Sequence, residues 1–367
     1  MITFLAVSGF LGAGKTTTLI ATAKHLEAQG RRVAIITNDQ AADLVDTQLV
    51  RSSAAQGAEV TGGCFCCRFD DLLTVARELV DRHGVDTLLA EAVGSCTDLQ
   101  ATVIRPLRAY YGDTFAAGRL VTVVEPHRLS ALRTSLALDD AESDLSYLFG
   151  KQLQEADIIA VNKLDLLTDS AAASILDRVQ SSHPSATVVG YSAATGLGVE
   201  TLVEQWLGGH DSPDRVIDID YDRYANAEAA LAWLNQSLVV GSAGGFDPAA
   251  WARAMLGHLS ATSAENSWLV GHAKAGVQTA EGLTKSSVTE AGAEPTIDAA
   301  AATFTTLANV TIKARVACAP EQLDIAVNTA VEHALAATGT VLSESSTSPA
   351  FKPGYPRPTH RLTANSR

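Results

Sequence analysis

The stretch GFLGAGKTT, residues 9–17, decides the fold. It carries the phosphate-loop spacing: Gly9, four residues, Gly14, Lys15, Thr16. The apolar run ITFLAVSG (2–9) leads into it, and a helical pattern over 16–29 leads away. Strand, glycine loop and helix in that order let successive backbone N–H groups wrap a β-phosphate, and the helix N-terminus adds a favourable dipole. Gly9, Gly12, Ala13, Gly14, Lys15, Thr16 and Thr17 are therefore the expected phosphate residues. Lys15 would reach the β- and γ-phosphates, and the Thr16 hydroxyl would bind Mg²⁺. The bland alternative, a glycine-rich turn, does not require this context on both sides.

Outward from the loop, five more apolar runs alternate with helical stretches: RVAIITND (32–39), DTLLAEAVG (86–94), RLVTVVEP (119–126), ADIIAVNK (156–163) and ATVVGYSA (186–193). Each is apolar on both faces, as parallel strands covered by helices are. The expected fold is α/β, a doubly wound, mostly parallel sheet over residues 1–207. GGHDSPD (208–214) is turn-rich, so 208–216 reads as a linker. A smaller α+β domain over 217–342 should follow: a helix near 225–238, another over 248–259, half-exposed strands over 267–279 and 309–318, and a helix over 320–337. KSSVTEAGAEPT (285–296) reads as a loop, and 343–367 as an irregular Ser/Pro-rich tail. Trp233, Trp251 and Trp268 are expected in the second core, as is Cys318. His272 fits packing or a solvated face better than a cleft.

Further motifs select the base. In NKLD (162–165), Asp165 can accept two hydrogen bonds from guanine N1–H and its 2-amino group, a pair that adenine lacks. Asn162 would address the purine edge, and the stem of Lys163 would lie along the ring. In YSAATGLG (191–198), a backbone N–H near Ser192 and Ala193 could meet guanine O6. EAVG (91–94) ends the third apolar run, where Glu91 can hold the Mg²⁺ hydration shell and the Gly94 N–H can sense a γ-phosphate. Asp39, Asp43 and Asp46 follow the second run, with Asp39 and Asp46 the candidates for positioning metal-bound or attacking water.

The chain of 367 residues has 47% hydrophobic and 19% charged residues and a formal charge of −14, which argues against nucleic acid as a main partner. No apolar stretch is long enough to span a membrane, and the first run reads as a strand, not a leader, so a cytoplasmic setting is expected. Five cysteines in such a chain disfavour structural disulfides. Three of them fall in CFCC (64–67). A soft-metal site, a redox pair and small buried thiols stay open at this point. Three thiolates suit Zn²⁺, Co²⁺ or Cu⁺, and Gly62–Gly63 would supply the turn that lets Cys66 and Cys67 both ligate. Cys96 divides evenly between core and auxiliary ligand.

GFLGAGKTT, GGCFCC (62–67), EAVG and NKLD together resemble the CobW-like metallochaperone GTPases, of the SIMIBI class of phosphate-loop GTPases, over roughly residues 1–205. WLVGHAKAG (268–276) extends the likeness loosely. The resemblance implies a slow, Mg²⁺-dependent GTPase cycling between GTP and GDP. It would bind Zn²⁺ or Co²⁺ as cargo through Cys64, Cys66 and Cys67 and deliver it to a client metalloenzyme. Apart from the resemblance, Asp39 is a candidate fourth ligand, because it lies in the segment expected to respond to γ-phosphate. Homodimerisation is left open. Two departures mark a divergent subgroup. NDQA (38–41) stands where the family has Asn-Glu-Phe-Gly, and SCTD (95–98) where it has a run to Ala-Asp-Pro. A GTP-gated chaperone that assembles a cofactor-dependent enzyme without carrying metal is the second reading. A small-molecule kinase is a third, opposed by NKLD.

Overall fold

The computed structural model describes residues 1–38, 56–131, 143–208, 215–301, 303–347 and 349–363. The described chain forms two compact units, one made of residues up to 227 together with 355–363, the other of 228–354.

The first unit is an eight-stranded sheet. Its strands are β1 (Ile2–Ser8), β2 (Val33–Asn38), β3 (Gln56–Val60), β4 (Thr87–Glu91), β5 (Phe115–Ala117), β6 (Val121–Val124), β7 (Ile158–Val161) and β8 (Thr187–Gly190). Their order is β3-β2-β4-β1-β6-β7-β8, with β5 also on β1, and every pair is parallel. β2, β4, β6 and β7 are buried along their whole length, which explains their unbroken apolar runs. The six expected strands are present. β3 and β5 are additional: QGAEV (56–60) is a half-exposed edge without an apolar run, and β5 has only three residues. Helices cover the sheet, among them Lys15–Ala28, Phe69–His83, Asp144–Glu155 and Val199–Leu207. β1 lies between β4 and β6, so the strand order reverses there, and the loop after β1 opens at the carboxyl edge where such sheets place ligands.

The second unit is a six-stranded antiparallel sheet in the order β12-β11-β10-β13-β9-β14. These strands are β9 (Ala232–Phe246), β10 (Val270–Thr279), β11 (Gly282–Val288), β12 (Thr296–Ala299), β13 (Thr305–Val316) and β14 (Val341–Thr347). Helices Pro248–Glu265 and Pro320–Thr338 pack with it around Trp251, Met255, Ile312 and Val327. Cys318 belongs to this core and Trp268 packs against it, as expected. Trp233 is fully buried but outside that cluster, under the guanidinium of Arg315 at 4.1 Å from its ring centroid. His272 is buried within β10.

Three readings are corrected. The helix expected over 225–238 stops at Ala229, and Ala232–Phe246 is the longest strand of the unit. Ala232, Leu234, Leu238 and Val240 face one core at two-residue spacing, a strand period. Residues 285–288 of the expected loop belong to β11. The tail begins as β14, and residues 355–363 return to the first unit. Helix Tyr221–Ala229 lies in the first unit as far as Ala227, with Tyr224 and Ala227 packed on Leu148, and its last two residues fall in the second. Most of the expected linker, 209–214, lies outside the described residues.

Among the described residues no helix is long and apolar enough to cross a membrane.

A buried carboxyl holds the loop after β4. Glu155 accepts from Thr97 Oγ1 (3.0 Å) and from the Gln100 N–H (3.1 Å). Burial pushes its pKa up to about 8, outweighing those hydrogen bonds. The unfolded chain loses this proton near 4.5 and the folded chain near 8, so raising the pH between those values favours unfolding. Thermal melts of Glu155→Gln should therefore lose less Tm between pH 5.5 and 8 than the wild type. Equal losses would place the ionised carboxylate in the fold.

Candidate nucleotide and thiol site

The loop after β1 is shaped by close backbone contact. Gly9 has φ 130° and Gly14 φ 95°, in the left-handed region. A Cβ on Gly9 would lie 2.1 Å from the Val123 carbonyl oxygen, and one on Gly14 would lie 2.4 Å from Asn162 Nδ2. Glycine is therefore required twice by space as well as by φ. Gly14 also precedes helix Lys15–Ala28, whose first turn has no side-chain cap, so its N–H groups are directed to the loop. Lys15 Nζ donates to Gly9 O (2.8 Å) and Phe10 O (3.3 Å). Thr16 Oγ1 donates to Glu91 Oε2 at 2.8 Å. That hydroxyl and carboxylate, both nearly buried, form a hard-oxygen pair suited to Mg²⁺. Thr17 is half-buried beside them. Gly94 lies against the loop: a Cβ there would be 2.5 Å from Leu11 Cδ2.

At the base side, Asn162 is a clamp. Its Nδ2 donates to Ala13 O (3.0 Å) and its Oδ1 accepts from the Ala193 N–H (2.9 Å), joining the phosphate loop to the loop after β8. The carbonyl oxygen and one amide proton are thus committed inside the protein, and a role at the purine edge would rest on the second amide proton. The Ser192 N–H likewise donates to Leu197 O (2.8 Å), so neither Ser192 nor Ala193 offers an N–H to a base. Ala194, the next residue, is exposed. Lys163 adopts φ 62° and starts a 3₁₀ turn over Leu164–Leu166 that leaves Asp165 exposed.

The thiols sit between β3 and helix Phe69–His83. Gly62 (φ 79°) and Gly63 (φ 153°) reverse the chain, and Cys64 O accepts from the N–H groups of Cys67 and Arg68, both at 3.0 Å. Asn38, the last residue of β2, holds the turn from below. Its Nδ2 donates to Val60 O (3.0 Å) and Gly63 O (2.8 Å), and its Oδ1 accepts from the Phe65 N–H (3.0 Å). Sulfur separations are 2.7 Å for Cys64–Cys66, 3.4 Å for Cys64–Cys67 and 3.7 Å for Cys66–Cys67. Four-coordinate zinc with bonds of about 2.3 Å needs sulfurs ~3.8 Å apart, so the set fits one ion once Cys64 and Cys66 separate by about an ångström. The Cys67 thiol is pushed up to about 11, by its hydrogen bond to Cys64 first and by burial. Cys66 rises further, through hydrogen bonds to Cys64 and Cys67. For Cys64, hydrogen bonds with Cys66 and Cys67 pull down, and the Cys96 hydrogen bond with burial outweighs them.

Two features here went unread in the sequence. Asn38 is one. The other is the tail, which seats on the thiol loop and the loop after β4. Thr359 N–H donates to Cys66 O (2.8 Å), Arg357 N–H to Cys67 Sγ (3.2 Å) and Leu362 N–H to Ala101 O (2.8 Å). Arg361 Nε pairs with Asp98 Oδ2 at 2.7 Å, and Tyr221 Oη donates to the same oxygen at 2.8 Å. Asp98 is fully buried and burial raises its pKa, so the Arg361 pair is its main compensation. The Ser/Pro composition of the tail gave no sign of where it docks; the pairing of Arg361 with Asp98 is not local in sequence. Asp39, Asp43 and Asp46 lie outside the described residues.

The family profile described as CobW/HypB/UreG, nucleotide-binding domain, matches residues 3–190, just over half of the chain, and the chain belongs to that family. It is 31% identical over 214 residues to the zinc chaperone CobW of Pseudomonas aeruginosa, covering 50% of this chain and 54% of that protein. It is 35% identical over 96 residues to the zinc chaperone YjiA of Escherichia coli, covering 24% and 29%. The chain thus spans about half the length of the first of these relatives and less of the second. Among solved structures, Zn(II)-bound YjiA GTPase from Escherichia coli aligns at 16% identity over 90% of this chain and 98% of that one, with a TM-score of 0.37.

Replacing Arg361 by Ala should release the tail from a buried carboxylate and expose the thiol loop. Maleimide labelling of Cys67, followed by peptide mass spectrometry, should quicken severalfold, while Cys318 labelling stays constant. An unchanged Cys67 rate would mean that the tail does not cover it.

Proposed function

We propose that this member of the CobW/HypB/UreG family is a GTP-hydrolysing metal carrier that holds Zn²⁺, or Co²⁺, on Cys64, Cys66 and Cys67 and passes it to a client metalloenzyme under nucleotide control. The observation that carries the reading is the thiol set itself. Three sulfurs within 4.8 Å of one another lie in one short turn of the same unit as the phosphate loop. The names of the relatives favour zinc as the cargo.

In this reading the backbone N–H groups at Gly12–Thr17 and the Lys15 ammonium hold the β- and γ-phosphates. Lys15 exchanges its bonds to Gly9 and Phe10 carbonyls for phosphate oxygens, which moves a positive charge onto the reacting group. Mg²⁺ would be held by Thr16, with Glu91 through its hydration shell; its chemistry is to neutralise charge on the phosphates. Gly94, packed against Leu11, presents the γ-phosphate side. Attack by water converts GTP to GDP and phosphate, and Asp39 or Asp46 would orient that water or the metal shell. Asp165 reads guanine N1–H and the 2-amino group, Lys163 lies along the ring, and Ala194 supplies the N–H for O6. The second unit is the proposed client surface.

A Zn²⁺ titration against a competing chelator, with Mg²⁺ and either GDP or a non-hydrolysable GTP analogue, tests this. One equivalent should bind tightly, shift with nucleotide, and be lost in Cys66→Ser/Cys67→Ser. Weak binding that ignores both nucleotide and mutation would sink the carrier and favour the metal-free chaperone. For the base, Asp165→Ala removes two charge-assisted hydrogen bonds worth about 1.5–3 kcal/mol each, so GTP affinity should fall by at least roughly 100-fold with ATP affinity unchanged. Equal affinity for GTP in this variant would refute guanine reading by Asp165.

A further inference from the structure

Residues 357–362 lie on the first unit as a peptide lies on a receptor: they form no helix, pair in no strand, and none of them is buried. The seat beneath them is built from distant parts of the chain. Three kinds of contact hold the occupant. Donors meet backbone carbonyls: the Thr359 N–H donates to Cys66 O and the Leu362 N–H to Ala101 O, both at 2.8 Å, and Arg361 Nη2 donates to Ile217 O at 3.1 Å. The His360 ring packs edge to face on Phe69, at 5.1 Å between centroids, and lies 5.3 Å from Tyr110 of helix Arg105–Tyr111. Arg361 Nε reaches the buried Asp98 carboxylate at 2.7 Å. Main-chain acceptors, an aromatic contact and a carboxylate for one arginine are the parts of a peptide-recognition site.

We infer that this seat is a peptide-binding site, and that its resident occupant, tail residues 357–362, gates the passage of cargo at the thiol turn. The inference rests on the carrier reading and adds regulation to it. Cys64 and Cys66 are buried, so an acceptor must approach from the side of the half-exposed Cys67. The tail lies there: the Arg357 N–H donates to Cys67 Sγ at 3.2 Å and Thr359 Oγ1 to Cys67 O at 3.4 Å. Zinc passes by ligand exchange. A donor atom of the acceptor bonds to the ion as a Zn–S bond breaks, the ion stays divalent, and each released thiolate takes a proton from solvent. That exchange needs an open position on the ion, which the seated tail denies. Opening costs little apolar contact, because Arg357, Thr359 and Arg361 are all exposed. Asp98, the acid of the seat, ends the segment whose Glu91 and Gly94 touch the phosphate loop, so a γ-phosphate that moved this segment would loosen the tail.

The test times zinc exchange on the full chain by stopped flow: exit to a chromogenic chelator from protein loaded with one equivalent, and entry into the metal-free protein. Arg361→Ala should speed exit and entry together, each by at least roughly tenfold, and leave their ratio, Kd, within about threefold of the wild type. Thr359→Pro, which deletes the N–H to Cys66 O and keeps the Asp98 pair, should act in the same direction, so a folding defect around Asp98 is not mistaken for gating. A synthetic peptide of residues 355–363 should slow exit from Arg361→Ala again, and the same peptide carrying Arg361→Ala should not. Wild-type rates in both variants would overturn the inference and leave the carrier reading intact. Faster exit with unchanged entry would also overturn it, since the tail would then support the bound ion rather than gate it. If the wild type binds no zinc, the carrier reading fails and the gate fails with it.

Discussion

One buried side-chain amide holds together the two chemistries of this unit. Gln152, on the helix that precedes β7, donates both of its amide protons to the loop after β4, at Gly94 O and Cys96 O. Each of those carbonyls, cut off from water, would lose the desolvation cost of an unmatched acceptor if the amide were removed, about 1–3 kcal/mol apiece. The loop is thereby fixed where it touches the phosphate loop, and the tail ties its far end to the thiol turn through Arg361–Asp98 and Thr359–Cys66. Glu155 and Arg361 fix its next residues in the same way. A segment of eight residues, Glu91–Asp98, is held by polar side chains drawn from three helices and the tail. Bistable elements carry coupling better than soft ones, and a segment with so many partners moves as a piece or not at all.

The thiol turn shows the complementary constraint. Its geometry is set before any ion arrives, by two glycines at positive φ, by the i→i+3 bond closing Cys64 to Cys67, and by three hydrogen bonds from Asn38. Preorganisation of this kind lowers the ordering entropy that ligation would otherwise require. Asn38 ends β2, and the next residues in sequence are Asp39 and the acidic segment expected to respond to nucleotide. The turn therefore leans on the strand end from which that segment departs.

Much of this was legible in the sequence, for identifiable reasons. Buried parallel strands carry their signal in unbroken apolar runs, and the phosphate loop carries its own in glycine spacing. Both follow from local sterics. What escaped depends on distance in the chain. Edge strand β3 has one buried residue in five and so no run to read. Ala232–Leu238 was taken for helix because alternating apolar residues next to a true helix end, at Ala229, blur the two periods. Asn162 was read only toward the base, whereas the fold also makes it a strut from Ala13, 149 positions before it, to Ala193, 31 positions after it. The Ser/Pro-rich tail looked irregular, and its backbone is, but Arg361 finds Asp98 across 263 positions of sequence. The departure from the family at SCTD was visible, and that is where the structure concentrates its buried polar contacts.

The central claim is that the nucleotide and thiol sites share one energetic unit, and linkage gives it a direct test. If the GTP state changes metal affinity, bound metal must change GTP-analogue affinity by the same factor. We would titrate a fluorescent non-hydrolysable GTP analogue, with Mg²⁺ present, into the protein with and without one equivalent of Zn²⁺, and repeat it on Gln152→Leu. The account predicts a shift of roughly fivefold or more in the wild type, in the range typical of coupled sites, and little shift in the variant. Identical nucleotide affinities with and without zinc in the wild type would contradict it.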